Sequence, residues 1–174
     1  MTKRISTYVL LALTLCLGLL TACNYKLANT PMDLPFKSVY AKPARNDSVA
    51  PQATASLSTQ MRNQLARVAQ LELASKDNAD AILETRIISY DNYEIASSSE
   101  DTGIGQAFKF RMTVSIDLYD RVSKKYYLQG KKVEATMSVY DSTTSGVLEQ
   151  EYQNMPQLCR ELATNIVNEI MAIW

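Results

Sequence analysis

The sequence predicts an α+β fold: a two-layer sandwich with two helices packed on one face of a four-stranded sheet, in the order β-α-β-β-β-α. Residues 108–118 alternate apolar and polar types without a break, the pattern of a strand with one buried face. Residues 56–68 and 156–170 carry apolar residues at spacings of three and four, as amphipathic helices do. The apolar stripes of the helices and the apolar face of the sheet must both be buried, and stacking the helices on the sheet buries them against each other.

The first half of the chain supplies one strand, one helix and a long second strand. A β-prone run over 36–41 ends before Pro43, and a polar loop follows. The first helix is expected from Ser56, with an apolar stripe of Leu57, Met61, Leu65 and Val68. Residues 79–95 then alternate as a half-exposed strand, and 96–106 form a connecting loop.

The third and fourth strands pair across a turn at 120–125. The apolar positions of the fourth strand are Tyr127, Val133, Ala135, Met137 and Val139. Lys131 shares their parity, so its side chain must reach water or mark the edge of the sheet. If both apolar sets share a face, paired residue numbers sum to an odd value. A sum of 245 is predicted, because it places Arg111 opposite Glu134.

The second helix is expected to start near Asn154 and Pro156, the cap region and first turn. Its apolar stripe consists of Leu158, Leu162, Ile166 and Ile170. Cys159 borders this stripe and is therefore predicted to be a buried, inert thiol. Trp174 is expected to close the helix end as a hydrophobic plug.

The N-terminus has the features of a bacterial lipoprotein signal. Lys3 and Arg4 precede an apolar run over 9–20, and two small residues then lead to Cys23. The run is too short to span a membrane comfortably. We expect residues 1–22 to be removed and Cys23 to be lipidated. The alternative is an ordinary secretory signal followed by an incidental cysteine.

The mature chain is expected to comprise a lipidated tether, residues 23–34, and a single α+β domain, residues 35–174. Asn24 follows the cysteine, where an aspartate would favour retention at the inner membrane. The predicted location is thus the outer membrane, lipid-anchored on the periplasmic side. Loss of Lys3 and Arg4 leaves an excess of two acidic residues, which argues against a nucleic-acid partner.

Composition also argues against an enzyme, although carboxylate or Ser-Lys chemistry stays open. The chain has no histidine, the commonest general base near neutral pH and the commonest metal ligand. We therefore predict a protein that is not an enzyme and has no cofactor or metal. Cys16 leaves with the signal and Cys23 is lipidated, so Cys159 has no partner for an intramolecular disulfide.

Four cations fall on the solvent parity of neighbouring strands and would form one patch: Arg86, Lys109, Arg111 and Lys132. Acidic residues of the same parity are Glu84, Asp117 and Glu134. Such a mixture is more commonly a solvated face with cross-strand pairs than a binding site.

Several motifs, in this order, resemble the LptE family of lipopolysaccharide-assembly lipoproteins. Cys23-Asn24-Tyr25-Lys26-Leu27 is similar to the family's lipidated start, with Asn24 in place of a glycine. Leu34-Pro35 leads into the first strand as it does in the family. Ala79-Asp80-Ala81-Ile82-Leu83 resembles the opening of the second strand, and residues 114–120 resemble the end of the third.

The resemblance implies a partner that periodicity cannot reveal. LptE proteins sit inside the outer-membrane β-barrel LptD, plug it, and help lipopolysaccharide reach the outer leaflet. Members contact lipopolysaccharide through basic residues in two loops. Here 94–106 and 141–154 contain no lysine or arginine. The resemblance therefore implies no loop contact in this chain, and any lipopolysaccharide contact would move to the four sheet cations.

Two alternatives belong to other functional classes. One is a free-standing lipoprotein on the periplasmic side that binds a small amphiphile or anchors another envelope complex. The other is a hydrolase, which the absence of histidine argues against. Copurification with a large β-barrel would distinguish the plug from the free-standing lipoprotein.

Overall fold

The computed structural model describes residues 34–97, 105–140 and 147–173. Its elements are β1 (Ser38–Ala41), β2 (Arg45–Asn46), α1 (Ala53–Leu65), β3 (Glu72–Leu73), β4 (Ala81–Ser97), β5 (Gly105–Asp120), β6 (Tyr126–Tyr140) and α2 (Val147–Met171). The α+β class is confirmed, but the sheet has six strands rather than four. Strands β2 and β3 have two residues each, too few to show alternation. Cys23, most of the predicted tether and Trp174 lie outside the described residues.

The sheet is mixed, with the order β3-β1-β4-β5-β6 and β2 also paired to β4. Strands β1 and β2 run parallel to β4, whereas β4, β5 and β6 form an antiparallel meander. The parallel pairing requires the chain to cross back over the sheet, and the segment containing α1 makes this crossover.

The core lies between the sheet and both helices, as the apolar patterns predict. Alternate β5 residues from Phe108 to Leu118 are at most 4% exposed. The predicted stripe residues of α1 and α2 face them and are buried, whereas Val68 lies beyond the end of α1 and is half-buried. In the described part of the chain, no helix combines the length and apolarity needed to cross a membrane.

A bulge in β4 reverses which residues face the helices. Ile87 pairs with Val114, but Ser89 pairs with Thr113, so Ile88 is an extra residue in the strand. Beyond the bulge Tyr90 is buried, and Asn92 and Glu94 pair with Phe110 and Phe108 and so face the helices. The uninterrupted alternation expected over 79–95 is therefore wrong after Ile88.

From Ala107 to Ile116 the β5–β6 register keeps the predicted odd sum, but its value is 247 rather than 245. Arg111 lies opposite Thr136, and Glu134 lies opposite Thr113. Next to the turn, Tyr119 pairs with Tyr126 at a sum of 245, and two one-residue register shifts, at Tyr127 and at Gly130, raise the sum to 247. Gly130 has a φ of +61°, and its N–H donates to Asp117 Oδ1 over 2.6 Å. Turn and bulge geometry thus outweigh one cross-strand ion pair in fixing the register.

Lys131 satisfies both predictions made for it. It lies on β6, an edge strand in the described sheet, and its Nζ is 3.0 Å from Glu169 Oε2 on α2. Both side chains are partly exposed, so the ion pair forms at the rim of the core rather than inside it.

Helix α2 begins at Val147, well before the expected start near Asn154, and Pro156 lies in its interior. Proline lacks the N–H that would continue the helical ladder. Tertiary contacts carry the helix through this position. The buried Glu151 carboxylate accepts hydrogen bonds from Gln52 Nε2 at 2.7 Å and from Asn92 Nδ2 at 3.2 Å.

A second buried carboxylate, Asp120, organises the turn between β5 and β6. It accepts hydrogen bonds from the Ser123 hydroxyl at 2.5 Å, the Tyr127 hydroxyl at 2.8 Å and the N–H of Val122 at 2.7 Å. The Ser123 bond is the largest influence and, against the opposing effect of burial, holds the pKa of Asp120 at about 2. Burial, followed by the bond to Asp120, raises the pKa of Tyr127 to about 12.

Asp120→Asn is expected to flatten the acid dependence of stability. The folded pKa lies below the ordinary value of 3.8, so the carboxylate stabilises the fold above pH 4 and loses this effect as pH falls through about 2. Loss of charge-assisted bonds should lower the free energy of unfolding at pH 7 by about 2 kcal/mol. Urea unfolding at pH 7, 4, 3 and 2 measures both effects. Asp77→Asn, at an exposed position, is the control. If the free energy of unfolding changes equally with pH in the wild type, Asp120→Asn and Asp77→Asn, the role assigned to Asp120 is contradicted.

Candidate functional surfaces

The face of the sheet away from the helices carries all four predicted cations, but in two separate pairs. Arg86 lies opposite Ser115, which in turn lies opposite Lys132. With strands about 4.8 Å apart, the Cα atoms of Arg86 and Lys132 are roughly 10 Å apart. Arg111 and Lys109 lie four and six residues further along β5, about 13 and 20 Å from that row. The predicted single patch is therefore divided.

The Arg86–Lys132 pair gains a third cation that sequence analysis missed. Arg45 on β2 lies directly beside Arg86 on β4. Like charges in adjacent strands destabilise a sheet. Among the described residues, only Asp47 offsets this repulsion with an ion pair, its Oδ2 lying 3.7 Å from Arg86 Nε. Glu84, one row away, is already paired with Lys42. No local signal identified Arg45, because a two-residue strand has no periodicity.

The Lys109–Arg111 pair has closer polar neighbours. Arg111 Nη2 donates to the Tyr93 hydroxyl over 3.2 Å, and Asp91 lies opposite Arg111 in the ladder. The Arg111 Nε–H is buried and has no hydrogen-bond partner in the part of the chain that the structure describes. Both cations are half-buried, so an anion bound here would be partly shielded from water and would also meet the Asp91 carboxylate.

A polar groove runs along the outer edge of β6, beneath α2. Its volume is about 430 Å³, and its lining residues are Glu134, Ala135, Thr136, Glu161, Thr164 and Asn165. Within this lining, Asn165 Nδ2 donates to the backbone oxygen of Glu134 over 2.9 Å. The lining contains two carboxylates and no lysine or arginine.

Cys159 is fully buried, as predicted. Burial raises the pKa of its thiol to about 11, so the reactive thiolate is scarce near neutral pH. Within 34–97, 105–140 and 147–173, no three His, Cys, Asp or Glu side chains cluster closely enough to hold a metal ion.

Structural comparisons give the same fold in proteins of low sequence identity. The Chlamydia trachomatis protein CT253 has a TM-score of 0.57 and 14% identity, over 79% of this chain and 97% of that one. A minor lipoprotein from Acinetobacter baumannii has a TM-score of 0.51 and 18% identity, over 80% and 93%. Lipoprotein B from Nitrosomonas europaea has a TM-score of 0.50 and 16% identity, over 84% and 87%. These identities show similarity of fold alone.

Comparison with the curated proteins gives no match. The family model LptE, described as lipopolysaccharide-assembly, matches residues 36–170. This range reaches from the start of the described core to the last turn of α2, so every element of the sandwich lies within it apart from the final residue of α2. The match confirms the resemblance that the motif order indicates. The chain belongs to the LptE family of lipopolysaccharide-assembly proteins.

Proposed function

We propose that the protein is an outer-membrane lipoprotein that plugs an LptD-like β-barrel and assists the passage of lipopolysaccharide to the outer leaflet. Cys23 carries the lipid anchor, and the folded body acts from the periplasmic side without catalysis or a cofactor. The observation that carries the proposal is the family match over residues 36–170. The lipoproteins among proteins of the same fold are consistent with it.

The two faces of the sheet support a role inside a barrel. A large outer-membrane barrel has a polar lumen, so a plug needs a polar exterior around a core that is stable by itself. The outward face of β5 supplies Lys109, Arg111, Thr113, Ser115 and Asp117, while the opposite parity is buried beneath the helices. One layer therefore provides stability and the other a surface compatible with a hydrated lumen.

The test is purification of the affinity-tagged full chain from outer membranes in a mild detergent. We expect a stable, stoichiometric complex with a large β-barrel protein that survives size-exclusion chromatography. An unrelated tagged outer-membrane lipoprotein, extracted in the same way, controls for incidental capture. A monodisperse protein without a barrel would contradict the plug and favour a free-standing lipoprotein.

The sheet cations are the proposed lipopolysaccharide contact. Lipopolysaccharide carries phosphates, and Arg and Lys bind phosphate through charge-assisted hydrogen bonds. The Arg86–Lys132 row has the higher density of positive charge because Arg45 adjoins it. The Lys109–Arg111 pair is less exposed, and the Arg111 Nε–H has no hydrogen-bond partner among the described residues. Charge density therefore favours phosphate binding at Arg86 and Lys132, whereas partial burial and an available donor favour it at Lys109 and Arg111.

Replacing Lys109 and Arg111 together by alanine is expected to weaken binding of purified lipopolysaccharide roughly threefold to tenfold at low salt, since exposed charges contribute little each. Binding is measured by surface plasmon resonance at 20 and 300 mM NaCl, and the difference should shrink at high salt because of screening. The matched variant replaces Arg86 and Lys132. Wild-type affinity for both double variants at low salt would leave the outward face with only a scaffold role.

A further inference from the structure

We propose that the edge of β6 binds an extended, basic segment of a partner polypeptide, which adds to the sheet as a further strand. Strand β6 is fifteen residues long and, among the described residues, pairs only with β5. An unpaired edge presents a row of backbone donors and acceptors that can hydrogen-bond to an added strand.

Contacts elsewhere in the sheet establish which backbone groups face this edge. Ile87 O accepts a hydrogen bond from Asp47 N at 2.9 Å, so the Ile87 backbone points away from β5. Its partner Val114 must then point towards β6 and bond to Val133. The next residue, Glu134, therefore points to the free edge.

The bond from Asn165 Nδ2 to Glu134 O provides independent support for this assignment. Because orientation alternates along a strand, the N–H and C=O groups of Thr136 and Ser138 also face outward. The ladder from Lys131 to Tyr140 has no register shift, so the alternation holds across it. In the described chain, no group forms a hydrogen bond with these Thr136 and Ser138 backbone atoms.

The charge of the groove indicates the chemistry of the partner. Its lining includes Glu134 from β6 and Glu161 from α2 and contains no cation. Glu134 shares the outward parity of its partner Thr113, whereas Glu161 lies on α2 above the other face. Because alternate side chains of an added strand share one face, its lysines or arginines would meet one of these two carboxylates, depending on which face they occupy. A second copy of this chain is a poorer occupant of the part of the edge next to the groove, because antiparallel pairing of two β6 edges centred on Glu134 would place the Glu134 carboxylates of both copies opposite each other.

The probe is a blocked decapeptide of alternating lysine and threonine, titrated into the lipidated full chain in a neutral detergent. We expect saturable binding and slower hydrogen exchange at the amides of Thr136 and Ser138. Thr136→Pro should abolish binding, because it removes an edge donor while leaving the bonds to β5 intact. Circular dichroism checks that the Thr136→Pro protein is folded. Amide hydrogen exchange in the wild-type protein, with and without the peptide, locates the binding site without any variant.

Charge is tested separately. The double variant Glu134→Gln and Glu161→Gln should bind the lysine peptide roughly threefold to tenfold more weakly at low salt. Glu72→Gln, on the opposite edge strand β3, should bind like wild type. Unchanged binding by a folded Thr136→Pro protein, or equal affinity for a decapeptide of alternating glutamate and threonine, would overturn the proposal. A concentration-dependent dimer that protects the same amides would also overturn it and assign the edge to a second copy.

Discussion

Cys23→Ala is expected to abolish lipid modification and release the protein from the membrane. The preceding apolar run and small residues predict that the lipid is attached to the thiol of Cys23. Each buried acyl CH₂ contributes about 0.8 kcal/mol, and a single myristoyl chain binds only marginally. The two or three chains of a lipoprotein therefore account for nearly all of the membrane affinity, and their loss should be close to an all-or-none effect.

Metabolic labelling with a radioactive fatty acid and fractionation of the envelope measure both consequences. Cys16→Ala and Cys159→Ala are the matched controls, since one lies in the predicted signal and the other in the core. Both should label as wild type does. The Cys23→Ala chain should retain its far-ultraviolet circular dichroism, because the family match and the described core begin well beyond it. Fatty-acid label on the Cys23→Ala protein would show that the lipoprotein signal is wrongly assigned.

Phe110→Ala is expected to lower the free energy of unfolding by about 3 to 5 kcal/mol, the usual range for truncating a buried aromatic side chain. Phe110 is 1% exposed and lies on β5, between Asn92 of β4 and Met137 of β6. Strands border it on both sides and helices cover it, so the surroundings have little freedom to close the cavity. A domain stabilised by 5 to 15 kcal/mol would lose much of its stability.

Urea unfolding of the detergent-solubilised full chain, followed by circular dichroism, gives this difference. Thr113→Ala is the matched control, because it lies on the same strand but faces outward. It should change stability by no more than about 0.5 kcal/mol. A loss below 1 kcal/mol for Phe110→Ala, with an unchanged m-value, would contradict the central position assigned to this side chain.

Local patterns were enough to predict the two-layer α+β class, both helix stripes and the buried parity of β5. Side chains on one face recur every two residues in a strand and about every 3.6 in a helix, so the positions of apolar residues along the sequence show which face is buried. The buried, unreactive Cys159 followed from its place beside the α2 stripe. The lipoprotein signal and the family resemblance also depend on linear motifs, and the family is confirmed.

Other features depend on contacts between distant residues, so a short stretch of sequence could not predict them and only the tertiary structure shows them. Strands β2 and β3 form because they hydrogen-bond to β4 and β1, and Arg45 lies beside Arg86 only because β2 pairs with β4. The extra residue Ile88 reverses the parity of β4, and two register shifts near the turn, at Tyr127 and at Gly130, set the register of β6. Helix α2 extends through Pro156 while Gln52 and Asn92 bind Glu151 from elsewhere in the fold. Each outcome depends on hydrogen bonds between residues far apart in sequence, whose partners exist only once the sheet and helices have packed together.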